Sequence, residues 1–75
     1  MSTEVLNVET MIGDNAGRLW HYLAKKQKKA QTPAAAAKAL NLKSAEIDRA
    51  IGWLAREGKL TFQKDARGTV RFSLR

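Results

Sequence analysis

Residues 32–60 read TPAAAAKALNLKSAEIDRAIGWLAREGKL, and the order of signals in this stretch decides the fold. Thr32-Pro33 is a helix start. A threonine hydroxyl accepts one of the free amides of a first turn, and proline suits the next position because the N–H it lacks has no helical partner there. The alanine run 34–37 then favours a helix over about 33–40. Asn41 can take the left-handed conformation that ends a helix, with Leu42 plugging the turn. Ser44 is the expected N-cap of a following helix over about 45–57, and Gly58 is its stop. At about 100° per residue, Ile47, Ala50, Ile51 and Leu54 share one face. Ala45, Arg49, Gly52 and Arg56 point away from it, with Glu46 and Trp53 on one shoulder and Asp48 on the other.

Downstream, Leu60 and Phe62 alternate with Thr61 and Gln63, and Val70, Phe72 and Leu74 alternate with Arg71, Ser73 and Arg75. Period-two alternation predicts two strands, about 59–64 and 69–74, with Phe62 and Phe72 on a core-facing side. Asp65-Ala66-Arg67-Gly68 between them reads as a hairpin loop. Upstream, Val8, Ile12, Ala16, Leu19 and Leu23 recur at helical spacing and predict a helix over about 8–26. Gly13 and Gly17 fall inside it, one turn apart, on a flank with Trp20 and Ala24. In a continuous helix they form a shallow groove that lets a ring or another backbone approach. The alternative is a late start, with Asn15 as N-cap and Gly13 in a turn. Residues 25–31 are a polar, basic linker with room for a short edge strand near 30–32, and residues 1–6 are expected to be disordered.

With 75 residues, the chain is expected to form one small domain. A domain of this size buries only about 60% of its unfolded surface, so its core is thin. There is no cysteine and only one histidine, His21, which excludes disulfides, thiolate nucleophiles and a zinc site built on these residue types. No signal peptide or membrane-spanning run is visible, so a cytoplasmic location is expected. No phosphate-binding loop and no nucleophile–base pair stands out, so neither catalysis nor a cofactor is expected, and nothing indicates a small-molecule ligand.

The element order is helix, short strand, helix, turn, helix, strand, loop, strand. This α+β order is that of a winged helix-turn-helix. The pieces IGDNAGRLW (12–20) and AIGWLAREGKL (50–60) resemble an uncharacterised family of small bacterial winged helix-turn-helix proteins. The resemblance spans roughly Ile12 to Leu74. It implies the fold, and it implies DNA binding only by analogy with other winged helices.

The formal charge of +7 favours a polyanionic partner. It is uneven, because Glu4, Glu9 and Asp14 precede the first basic residue, Arg18, and the run Lys25, Lys26, Lys28, Lys29 follows. In a DNA-binding winged helix the second helix of the motif enters the major groove. Arg49 and Arg56 are therefore candidate base readers, the plainer reading being ion pairs with Glu46, Asp48 or Glu57. Thr32, Lys43 and Ser44 at helix starts and Lys38 on the surface of the second helix are candidate phosphate contacts, the plainer reading of Lys38 being a solvated surface residue. Lys64, Arg67 and Arg71 are candidate wing contacts, although strand edges also carry such residues to block edge pairing. Glu46 and Asp48 argue against tight sequence-specific binding.

The expected function is that of a non-catalytic winged-helix protein binding double-stranded DNA, as a transcription regulator or nucleoid accessory. The alternative is a protein-interaction or homodimerisation module. Its surface would be Gly13, Gly17, Trp20, Gly52 and Trp53, with Trp53 meeting the glycine groove of its own chain or of a second copy.

Overall fold

The computed structural model describes residues 4–27 and 29–75, so residues 1–3 of the expected disordered start and Lys28 of the basic run lie outside the described residues. The elements are α1 (Val8–Lys25), α2 (Pro33–Leu40), α3 (Ser44–Arg56), β1 (Leu60–Lys64) and β2 (Val70–Leu74). They form the expected winged-helix arrangement of three helices and an antiparallel hairpin.

Helix α1 is continuous through Gly13 and Gly17. Its N-cap is Asn7, whose Oδ1 accepts the Thr10 N–H at 3.1 Å, so the late start at Asn15 is not adopted. Ala16, Leu19 and Leu23 are buried, but Val8 is 47% exposed. The apolar stripe was expected to begin at Val8; the first turn of α1 instead extends past the packed core. Arg18 on α1 donates to the Leu40 carbonyl at the end of α2, which ties these two helices together where the last carbonyls of α2 lack helical partners.

Helix α2 begins and ends as the sequence predicts. Thr32 Oγ1 accepts the Ala35 N–H at 3.1 Å, and Asn41 is left-handed with φ 56°. The Leu42 N–H reaches back to the Ala37 carbonyl at 2.9 Å and fixes the turn into α3. Helix α3 starts one residue earlier than expected. Lys43 is its N-cap residue and Ser44 its first helical residue, and no side-chain cap bond is made by either. The reason is Glu46, whose carboxylate accepts the Lys43 N–H at 2.9 Å and so draws Lys43 into the cap position. At the other end, Gly58 has φ 72°, its N–H bonds to the Ala55 carbonyl, and the Lys59 N–H bonds to the Leu54 carbonyl. This pair of bonds is the Schellman closure, and it turns the chain directly into β1.

In the hairpin, Leu60 pairs with Leu74, Phe62 with Phe72 and Lys64 with Val70. The edge strand expected near 30–32 is a single bridge. The Gln31 N–H donates to the Phe72 carbonyl and the Phe72 N–H to the Gln31 carbonyl, both at 2.8 Å. Strand β2 is therefore flanked on both edges at Phe72, which is fully buried. Phe62 is not in the core as expected; it is 46% exposed, and its ring lies 6.3 Å from that of Phe72. Val70 is exposed as well, because the distal half of the ribbon projects past the helices. Ser73, expected in water, is buried on the flanked strand. The core joins Leu19, Leu23, Ala36, Ile47, Ala50 and Leu54 to Leu60 and Phe72, so the hairpin base is part of the same cluster as the helices.

Candidate nucleic-acid interface

Helix α3 turns Ile47, Ala50 and Leu54 into the core, and this leaves Ala45, Arg49, Gly52 and Arg56 exposed on its outer side. The two arginines are seven residues apart, roughly 10 Å along the axis. The ion pairs that would have occupied them do not form. Among the described residues the salt bridges are Lys59–Glu57 at 3.9 Å and Arg71–Asp65 at 3.5 Å. Glu46 is turned to the Lys43 amide and Glu57 to Lys59, which leaves the guanidinium groups of Arg49 and Arg56 unpaired. Arg49 borders a small hollow with Leu6, Ile12, Asn15 and Glu46, so it stands on the shoulder facing the start of α1.

The helix starts are less open to phosphate. The Thr32 hydroxyl already accepts the Ala35 amide, although it keeps its own proton to donate. Lys43 and Ser44 are exposed at the start of α3, but Glu46 sits in the same first turn and places a negative charge where an anion would approach. Lys38 is exposed on α2.

In the wing, Asp65 organises the loop. Its Oδ1 accepts the Arg67 N–H at 2.9 Å and the Thr69 N–H at 3.0 Å, and Gly68 closes the turn at φ 84°. The Thr69 N–H, followed by the Arg67 N–H and the Arg71 guanidinium, holds the Asp65 carboxyl below its ordinary value, against the opposing effect of desolvation. Lys64 lies close to Gly68, where an added Cβ would sit 3.6 Å from Lys64 Cε. Lys64, Arg67 and Arg71 thus converge on one loop, with Arg71 held by Asp65.

Four of the residues read as a protein surface also come together. Gly13, Gly17, Trp20 and Trp53 line a cleft of about 360 Å³ between α1 and the end of α3. A Cβ on Gly13 would lie 4.0 Å from the Trp53 ring, so Trp53 meets the glycine groove of its own chain. Gly52 is apart from the cleft, on the exposed side of α3. The sequence reading missed His21, Glu57 and Lys59 at this cleft. His21 is one helical turn beyond Gly17 and carried a signal; Glu57 and Lys59 arrive there only through the closure at Gly58. It also missed an exposed apolar patch of Val5, Leu6, Val8 and Met11.

No group of three or more metal-ligating side chains occurs among the described residues, and none of their helices is long and apolar enough to cross a membrane.

A helix-turn-helix whose second helix runs into a hairpin flanked by a bridge from the α1–α2 linker defines a winged-helix protein. The chain belongs to the family described as winged helix-turn-helix domain (DUF2582), whose profile matches residues 7–72. Among solved structures it is similar to the protein BT2368 of Bacteroides thetaiotaomicron, determined by solution NMR. The two share 29% sequence identity over 88% of this chain and 77% of that one, with a TM-score of 0.76. No curated protein matches the chain.

Proposed function

We propose that this chain is a non-catalytic protein that binds double-stranded DNA, as a transcription regulator or nucleoid accessory. The observation that carries this reading is the pair of exposed, unpaired arginines on the outer side of α3, Arg49 and Arg56. In the major groove each guanidinium can donate two hydrogen bonds to one guanine. Thr32, Lys38, Lys43 and Ser44 supply backbone contacts from the helix starts and α2. Lys64, Arg67 and Arg71 supply them from the wing. Arg71 would leave Asp65 to do so, at little cost because the pair is exposed.

The test is fluorescence anisotropy of a labelled duplex at low salt with wild-type protein and the Arg49→Ala/Arg56→Ala double variant. Each lost arginine contact is worth about 1–3 kcal/mol, so the double variant binds at least tenfold more weakly. Equal affinity removes α3 from the interface.

A second reading, a protein-interaction or homodimerisation module, is favoured by the exposed Val5, Leu6, Val8 and Met11 and by the Trp20–Trp53 cleft. Sedimentation of wild type and Trp53→Ala decides it. A wild-type dimer that the substitution dissociates supports this reading, and monomers in both cases rule out dimerisation through Trp53.

A further inference from the structure

The cleft between α1 and α3 combines features that a solvent-filled furrow does not need. Trp20 and Trp53 both border it, each 38% exposed, and they are the chain's two tryptophans. Its floor is Gly13, Ala16 and Gly17; the Trp53 ring stands over Gly13, while a Cβ on Gly17 would meet nothing within 4 Å, so the space beside the indole is open above Gly17. His21 packs edge-on against Trp20 at 5.3 Å. Glu57 and Lys59 also line the cleft. Their contact is long, 3.9 Å, and both side chains are about half exposed, so each keeps hydrogen-bonding capacity for a ligand.

We propose that this cleft binds a small zwitterion bearing one apolar ring, of the aromatic α-amino acid class. The ring lies against the two indoles over the glycine floor, where flat apolar groups gain contact area and offset or edge stacking. The ammonium group bonds to Glu57 and the carboxylate to Lys59, replacing one long exposed ion pair with two charge-assisted bonds. The opposite charges on neighbouring lining residues select the zwitterion over a simple anion or cation. The volume of about 360 Å³ is at the small end of the ~300–1,000 Å³ typical of ligand sites, which suits a single ring.

The test needs no DNA, so its outcome is independent of the reading above. L-phenylalanine is titrated into the full chain under excitation selective for tryptophan, and the emission of Trp20 and Trp53 is followed. The expected result is a saturable change. N-acetyl-L-phenylalanine and L-phenylalaninamide, each lacking one charge of the zwitterion, bind at least tenfold more weakly. Gly17→Leu fills the cleft and abolishes the change while thermal unfolding remains cooperative. Should that variant fail to fold, Lys59→Gln at an exposed position serves instead, and it weakens L-phenylalanine at least fivefold with little effect on the amide. Absence of saturation, or equal binding of the blocked derivatives, overturns the proposal. So does an emission change that depends on protein concentration alone and accompanies a dimer in sedimentation, which gives the cleft to a second copy.

Discussion

Asn41 and Gly58 adopt φ of 56° and 72°, and each lies between a helix and an element that begins shortly after it, α3 at Ser44 and β1 at Leu60. Left-handed backbone costs an L-residue with a Cβ roughly 1–2 kcal/mol, less for asparagine and nothing for glycine. Gly58→Ala is therefore expected to lower stability by about 1 kcal/mol, read from urea unfolding, although a Cβ there would lie 3.8 Å from the nearest atom, Arg75 Nη1, and has room. Thr32→Ala removes the acceptor of the Ala35 amide and costs about 1 kcal/mol by the same measurement. Ser44→Ala is expected to be nearly neutral, since the Ser44 hydroxyl makes no cap bond. Thr32, Asn41 and Gly58 were legible in the sequence because each acts on backbone within a few residues. Ser44 was misread because Glu46 competes for the same start and wins by reaching the Lys43 amide. Two valid local signals one residue apart cannot be ranked without the geometry.

At the scale of the element, the wing shows where alternation stops being informative. The period-two pattern placed both strands and the loop between them; the register, with Phe62 opposite Phe72, is seen only in the structure. It could not say how far the helices reach along the ribbon. Phe72 is fully buried and Phe62 about half exposed, so Phe72→Ala is expected to cost about 3–5 kcal/mol and Phe62→Thr about 1 kcal/mol or less. Comparable losses from both would contradict the burial of Phe72 and the exposure of Phe62. The loop carries its own pH dependence. The Asp65 carboxyl is held below its ordinary value of 3.8, first by the Thr69 amide. A carboxyl lowered in the folded state contributes stability that is fully present above the unfolded value and is lost as pH falls through the folded one. The Arg67 and Thr69 amide resonances should therefore titrate together as pH falls, with a midpoint below 3.8. Asp65→Asn keeps an acceptor oxygen and abolishes that titration. A midpoint at or above the ordinary value would show that the loop bonds do not persist in solution.

For the whole molecule, the fold was more legible than the function for a physical reason. Caps, turns and apolar spacing are local, and the winged helix follows once they are set in order. An interface is a property of charges brought together from α2, α3 and the wing, and of which charges have already found partners. The sequence offered Arg49 and Arg56 two acids or more each; the structure shows those acids engaged elsewhere or not in contact. The sequence left Trp53 open between the glycine groove of its own chain and that of a second copy, and the structure sets it beside Gly13 of its own chain; the arrival of Glu57 and Lys59 at the same cleft depends on the chain reversal at Gly58.

If the outer side of α3 and the basic wing hold duplex DNA, the salt dependence of binding reports their phosphate contacts. Each phosphate contact lowers the slope of log K against log salt by about 0.9 on B-DNA. With contacts from α2, α3 and the wing the expected slope is about −3 or steeper, made shallower by about one for each of Lys64→Ala and Arg67→Ala. No binding at low salt, or binding whose salt slope neither substitution alters, would contradict it.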